Sequence, residues 1–119
     1  MERVVDFLGH QPVGRNHAVN IRRFERDNDI AESKVLQDPH VSYRSRYQGA
    51  FLYLERCDHG QVSRICRLEY TGTLDRWQFA IYKYSDERYD PDEWFLPGAE
   101  QVDGTIEGAM HAGMAAYPP

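Results

Sequence analysis

Two β-strand patterns meet at a Thr-Gly turn within residues 66–84, which read CRLEYTGTLDRWQFAIYKY. After the turn at residues 71–73, apolar and polar residues alternate over residues 77–82, and this is the period of a half-buried strand. We therefore expect an antiparallel sheet here. The segment holds no residue placed like a nucleophile, so it constrains the fold rather than the chemistry.

Length and composition predict one folded domain. The chain has 119 residues, of which 41% are hydrophobic and 28% charged, and a chain of this size can bury a single core. Its formal net charge of −5 counts against broad contact with nucleic acid, because that affinity comes from neutralising phosphates. We expect residues 1–119 to form a single domain, with any nucleic-acid contact confined to a local basic surface.

The chain carries no signal for a membrane or an oxidising compartment. No apolar run approaches the roughly 20 residues that a spanning helix needs, and the start, MERVVDFLGH, lacks the basic and long apolar regions of a signal peptide. Two cysteines are too few for a disulfide framework. These features predict a cytoplasmic protein without membrane contact, and no residue pattern indicates a cofactor.

The N-terminal part, residues 1–40, has the pattern of short helices separated by breaks. A first helix over residues 1–9 would bury Val4, Val5, Phe7 and Leu8. Asn16 can cap a second helix, and the Asp-Asn-Asp sequence at residues 27–29 predicts its stop or a kink. A third helical turn is expected over residues 30–36.

A long strand is predicted over residues 41–57, because large apolar residues alternate there with polar ones. Gly49 is expected to bulge or bend it. A tight hairpin turn centred on His59 and Gly60 follows. Its facing pairs would be Cys57 with Val62, Glu55 with Arg64, Tyr53 with Cys66 and Phe51 with Leu68. Since the two cysteines do not face each other in this register, we predict free thiols.

The clearest helix pattern covers residues 105–117. Thr105 is a good cap, and an apolar face follows at helical spacing, made of Ile106, Ala109, Met110, Gly113, Met114 and Tyr117. Gly108 and Gly113 each weaken a helix by about 1 kcal/mol relative to alanine unless a close approach needs them. The predicted architecture is α+β: N-terminal helices, a three-stranded antiparallel meander within residues 41–90, a loop over residues 91–104, and this helix packed on the sheet.

A set of residues in the C-terminal half resembles a group of short uncharacterised bacterial proteins. The residues that carry the likeness are Cys66-Arg67-Leu68, Tyr70-Thr71-Gly72, Arg76-Trp77, Phe79-Ala80, Tyr82, Tyr84-Ser85, Tyr89 and Gly104-Thr105. The resemblance implies a bacterial single-domain protein. It implies no activity and no site residue.

One function that the sequence suggests is nucleic-acid binding by a face of the sheet. The residues concerned are Arg44, Arg46, Arg64, Arg67, Tyr43 and Tyr47, with Tyr53 beside them and Arg22 and Arg23 as further phosphate contacts. Aromatic rings can stack bases while guanidinium groups contact phosphates. The helix–sheet–helix order is also similar to that of double-stranded-RNA-binding domains. Against this, the last helix begins Thr105-Ile106-Glu107 without lysines, and solvated strand charges are the alternative.

Two further clusters invite a chemical interpretation. Cys57, His59 and Cys66 lie near one hairpin, and a zinc site would need a fourth ligand such as His10 or His40, but the spacing matches no zinc signature. Carboxylates that could hold calcium or form an acid–base pair are Asp86, Glu87, Asp90, Asp92 and Glu93, without the order of an EF-hand loop. We expect structural thiols, a turn histidine and solvated loop charges, and therefore no metal and no catalytic residue.

Trp94, Phe95 and Leu96 lie beside a proline-bounded loop, where they either anchor a partner or cover the end of the sheet. The face of the last helix could likewise receive a second copy. No reaction centre is recognisable in the chain, so the sequence predicts a small non-catalytic protein-binding or adaptor module. A nucleic-acid-associated accessory protein is the alternative.

Overall fold

The computed structural model describes residues 14–119, with side chains from residue 23 onward, and shows one antiparallel sheet with two α-helices. In chain order the elements are α1 (Gly14–Val35), β1 (Val41–Gln48), β2 (Phe51–Asp58), β3 (Gln61–Glu69), β4 (Gln78–Lys83), β5 (Arg88–Asp90), a 3-10 helix (Ala99–Gln101) and α2 (Ile106–Ala116). Consecutive strands are neighbours in the sheet. The predicted α+β class, antiparallel sheet and C-terminal helix are confirmed, but the sheet has five strands rather than three. The helix predicted over residues 1–9, and His10, lie outside the described residues.

Helix α1 is continuous, so the predicted stop or kink at residues 27–29 is wrong. Phe24, Asn28, Ala31 and Val35 are all buried, and their spacing places them on one face of the helix. The buried Asn28 Nδ2 donates a hydrogen bond of 2.7 Å to the hydroxyl of Tyr47. A polar residue in the apolar stripe made the pattern look broken, whereas its tertiary hydrogen bond allows the helix to continue.

The predicted long strand is two strands, because the chain reverses at Gly49 and Ala50. Gln48 pairs with Phe51 across this two-residue connection, and Gly49 has a positive φ of 59°. Glycine is favoured at the first central position of such hairpin turns, since it adopts positive φ without steric cost. The glycine therefore creates an additional hairpin rather than a bend.

The β2–β3 hairpin forms at the predicted turn, where His59 and Gly60 both have positive φ, 51° and 89°. Near the turn the predicted pairs Cys57–Val62 and Glu55–Arg64 are confirmed. Beyond Glu55 the register shifts, so the predicted pairs Tyr53–Cys66 and Phe51–Leu68 are wrong. Instead, Tyr53 faces Arg67 and Phe51 faces Glu69. The extra residue of this bulge is Ile65, which is fully buried, so the shift places one more apolar side chain in the core.

Helix α2 begins as predicted, because the Thr105 hydroxyl accepts a hydrogen bond from the Gly108 amide at 2.9 Å. Its glycines lie at close approaches. A Cβ on Gly113 would stand 2.6 Å from both Ile65 Cγ2 and the Tyr43 hydroxyl, and one on Gly108 would clash with Gln101 and Asp103. The weak helix formers are therefore needed for packing against the sheet and the preceding turn.

Both described helices pack on the same side of the sheet. The shared core combines Phe24, Ala31 and Val35 of α1 and Ile106, Ala109 and Met110 of α2 with sheet residues that include Leu52, Leu54, Cys66, Leu68 and Ile81. The buried Arg56 of β2 closes this layer, since it pairs with Asp58 at 2.8 Å and donates to the Gly113 carbonyl at 3.0 Å. The opposite side of the sheet is called the outer sheet face below.

Candidate binding surfaces

The loop after β5 presents one fully exposed aromatic ring. Phe95 has a relative accessibility of 101%, and the neighbouring Trp94 is 49% exposed. Leu96 is half-buried and packs against the core, and the Trp94 ring lies 6.1 Å from that of Phe79. The two predicted roles are therefore divided within the segment: Leu96 covers the sheet, Trp94 lies at its border, and Phe95 faces solvent.

A short chain of polar contacts holds this loop against the sheet. Lys83 Nζ donates to Oε1 of Glu93 at 3.0 Å, and Oε2 of the same carboxylate accepts the Phe95 amide at 2.9 Å. The hydrogen bond from Lys83, followed by that from the Phe95 amide, lowers the pKa of Glu93. Phe95 is thus displayed by an anchored backbone.

A groove with a volume of about 370 Å³ lies beside Phe95. Its apolar and aromatic lining comprises Ile81, Tyr84, Phe95, Leu96, Pro97, Ala116 and Tyr117. The Tyr84 and Tyr117 rings meet edge to face at 5.6 Å, and the Tyr117 hydroxyl donates to the Tyr82 carbonyl. An exposed ring and an adjoining aromatic groove together form a surface that can contact apolar side chains.

Three of the carboxylates that could have formed a calcium or acid–base site lie around Lys83. Its ammonium lies 3.5 Å from Asp86 and 3.7 Å from Asp90, in addition to Glu93, and Arg88 pairs with Asp90 at 3.1 Å. Asp90 also accepts the Asp92 amide at 2.9 Å. Asp86, Asp90 and Glu93 therefore order the β4–β5 turn and the loop that follows, and of the five acids only Glu93 lines the groove.

The outer sheet face gathers the four predicted arginines. Arg44 and Arg64 both pair with Glu55, and Arg46 and Arg67 both pair with Tyr53, so each pair shares a row across β1, β2 and β3. Tyr43 and Tyr47 were assigned to the same surface, but they lie on the opposite side of the sheet and are 8% and 3% exposed. They belong to the core because their positions alternate with those of the arginines.

Other aromatic residues occupy the places predicted for Tyr43 and Tyr47. Arg46 Cζ lies 4.3 Å from the centre of the Tyr53 ring, and Arg67 Cζ lies 4.5 Å from that of Phe51 and 5.6 Å from that of Tyr89. Sequence reasoning missed Phe51, Tyr82 and Tyr89 as part of this surface. Alternation along β2 from Tyr53 would have indicated Phe51, whereas Tyr82 and Tyr89 depend on the pairing of β3 with β4 and of β4 with β5.

The cysteines and histidines do not form a metal site in the part of the chain that the structure describes. No group of three or more His, Cys, Asp or Glu side chains there is placed to hold a metal ion. Cys66 is fully buried, which raises the pKa of its thiol, whereas Cys57 is half-buried, and both are free. His59 lies 3.3 Å from Asp38, and its ring centre is 5.6 Å from that of His40.

A larger groove, about 690 Å³, lies between α1 and the start of α2. Its ionisable lining residues are Asp27, Lys34, Asp75, Asp103, Glu107 and His111. Burial, together with Glu107, raises the pKa of Asp27. Asp103 accepts from the Thr105 amide and hydroxyl at 3.0 and 2.6 Å, which lowers its pKa. That carboxylate is therefore engaged in capping α2, and the groove supplies a polar border between the helices.

Comparisons with protein-family models, with curated proteins and with solved structures gave no match. The resemblance to short bacterial proteins therefore stays a prediction from the sequence. Neither described helix has the length and hydropathy of a membrane-spanning segment. Function has to be argued from the two surfaces themselves.

Proposed function

We propose that this chain is a non-catalytic, cytoplasmic protein-binding or adaptor module that contacts its partner through Phe95 and the adjoining groove. The observation that carries the proposal is the complete exposure of Phe95, 101%, on a loop that Lys83 and Glu93 anchor. A large ring on an ordered backbone loses little conformational freedom when it is buried by a partner.

Charge indicates the chemistry of the partner. The β4–β5 turn and the following loop carry five carboxylates, Asp86, Glu87, Asp90, Asp92 and Glu93, against the two cations Lys83 and Arg88. A partner segment with a large apolar side chain flanked by lysine or arginine would fill the groove and complement the acidic turn and loop beside it. We therefore propose a basic segment with an apolar anchor as the occupant.

A display selection tests this proposal. A random peptide library is selected on the full-length protein and counter-selected on Phe95→Ser. The peptides retained should share an apolar residue flanked by lysine or arginine, and they should bind the variant about 30-fold more weakly, because truncation of an interface anchor commonly costs about 2 kcal/mol. Binding should also weaken as salt is raised.

Val62→Ser is the matched control, because Val62 is also an exposed apolar residue, 43% accessible, but lies on β3 away from the groove. Equal binding by wild type and Phe95→Ser would overturn the proposal. Light scattering on the free protein tests whether a second copy of the chain occupies the groove instead. A dimer that Phe95→Ser makes monomeric would identify a second copy, rather than a basic segment, as the partner.

A further inference from the structure

The outer sheet face carries a platform of stacked guanidinium and aromatic groups that the proposed protein contact does not use. Arg46 lies over Tyr53 with Cζ 4.3 Å from the ring centre, and Arg67 lies over Phe51 at 4.5 Å. Arg64 lies 5.3 Å from the Tyr82 ring and donates to its hydroxyl at 3.1 Å. A guanidinium positioned over a ring can also bind oxyanions through its N–H groups and stack on planar groups.

The aromatic residues of this face are ordered by contacts among themselves. The Tyr89 ring meets that of Tyr53 at 5.3 Å and that of Tyr82 at 4.9 Å, both edge to face. The three rings come from three strands, β2, β5 and β4. Because the rings are already packed, a planar ligand that stacks on the platform would cause little further loss of side-chain freedom.

The charge of this face is opposite to that of the whole chain. Four arginines, Arg44, Arg46, Arg64 and Arg67, share it with the carboxylates Glu55 and Glu69, whereas the chain has a net charge of −5. Arg44 and Arg46 are exposed on β1, and Arg64 is exposed on β3. A local positive surface on an acidic protein selects an anionic ligand without promoting general association with polyanions.

We propose that the outer sheet face binds single-stranded nucleic acid. Bases would stack on the guanidinium planes of Arg46 and Arg67 and on the exposed parts of Phe51 and Tyr53, while Arg44 and Arg64 contact phosphates. A single strand fits this surface better than a duplex, because stacking needs bases that are not already paired and stacked. This site is separate from Phe95, so Phe95→Ser should bind nucleic acid like the wild type.

Fluorescence anisotropy with labelled oligonucleotides of about twelve nucleotides, oligo-dT and oligo-U, at about 50 mM salt tests the proposal. Wild type should bind, with a slope of log affinity against log salt of about −1.4, as expected for the phosphate contacts of Arg44 and Arg64 to a single strand. Arg46→Ala/Arg67→Ala should weaken binding about 30-fold. Arg46→Lys/Arg67→Lys, which keeps the charge but loses the stacking planes, should fall between them.

Arg26→Ala/Lys34→Ala is the matched control, because it removes the same charge from exposed positions of α1 and should bind like the wild type. Equal affinity for DNA and RNA would indicate recognition of bases and phosphates alone, and a preference for RNA would add contacts to the 2′-hydroxyl. The proposal is overturned if wild type does not bind, if the two alanine pairs lose affinity equally, or if polyglutamate of the same charge binds as tightly as the oligonucleotides.

Discussion

The carboxylate of Glu93 joins Lys83 to the backbone of Phe95: one oxygen lies 3.0 Å from the ammonium of Lys83, and the other accepts the Phe95 amide at 2.9 Å. The exposed ring is therefore tied to strand β4 by two hydrogen bonds. A loop that would otherwise be free to move is ordered by charge-assisted contacts at its base.

Lys83→Met should release this loop. Acrylamide quenching of tryptophan fluorescence should increase, because Trp94 lies in the loop and is already 49% exposed, whereas Trp77 is buried.

In the wild type, quenching should also increase in acid. The pKa of Glu93 is lowered in the folded protein, so the stabilising contact is complete above the ordinary value of about 4.3 and is lost as pH falls through the lowered pKa. Arg88→Met, which removes a cation that pairs with Asp90 instead of Glu93, is the control. Unchanged quenching in Lys83→Met would contradict this role.

Among the arginines whose side chains are described, replacement of Arg56 should lower the free energy of unfolding the most. The guanidinium is 1% exposed, pairs with Asp58 and donates to the carbonyls of Gly113 and Tyr117 at the end of α2. Arg56→Met should lower the free energy of unfolding by about 3 kcal/mol in urea denaturation, because it leaves the Asp58 carboxylate and the helix-end carbonyls without this donor. Arg44→Met, at an exposed position of the same sheet, should change it by less than about 0.5 kcal/mol. Equal losses of stability in Arg56→Met and Arg44→Met would refute the role of Arg56 in holding the end of α2 against the sheet.

Gly113→Ala should destabilise the protein although alanine is the better helix former. The new Cβ would stand 2.6 Å from the Tyr43 hydroxyl and from Ile65 Cγ2, and overpacking of this kind costs about 1–3 kcal/mol against a gain of about 1 kcal/mol in helix propensity. Tyr43→Phe removes one of the two clashing atoms. In a double-mutant cycle, the loss for Gly113→Ala should therefore be smaller in the Tyr43→Phe background. A stabilising Gly113→Ala would show that α2 does not approach the sheet this closely.

Stability should decline in alkali in two stages. Burial raises the pKa of the Cys66 thiol, so its stabilising contribution is complete below the ordinary pKa of about 8.5 and falls above it, by about 1.4 kcal/mol per pH unit, while only the unfolded chain ionises. Above about pH 10 a second decline should follow, since burial raises the pKa of Tyr89 to about 12 and also raises that of Tyr43. Urea midpoints under reducing conditions measure both stages. Cys66→Val should remove the first decline, whereas Cys57→Ser should retain it. If the first decline persists in Cys66→Val, it is caused by a group other than the Cys66 thiol.

Elements with strong local signals were predictable. The His59-Gly60 turn and the Thr105 cap each depend on residues within a few positions, and each appears where expected. Strand β4 also forms where predicted, but its burial does not alternate, since residues 79–82 are all buried. The errors came from residues whose role depends on distant contacts. Asn28 looked like a break until its bond to Tyr47 placed it in the core, and Gly49 permits either a bend or a reversal.

The candidate surfaces also depend partly on local sequence and partly on distant contacts. The sequence by itself determined the residue types available: an acidic chain with a cluster of strand arginines, and the apolar residues Trp94, Phe95 and Leu96 after Pro91. Tertiary structure alone decided which side chains share a face. The buried Ile65 bulge shifts β3 by one position, so Arg67 rather than Cys66 stands beside Tyr53, and the packing of Leu96 leaves Phe95 in solvent. The face on which a side chain lies follows from the two-residue period of its strand, and a bulge exchanges the faces of the residues that follow it. Whether a bulge is stable depends on core packing between residues far apart in the chain, which the local sequence does not reveal.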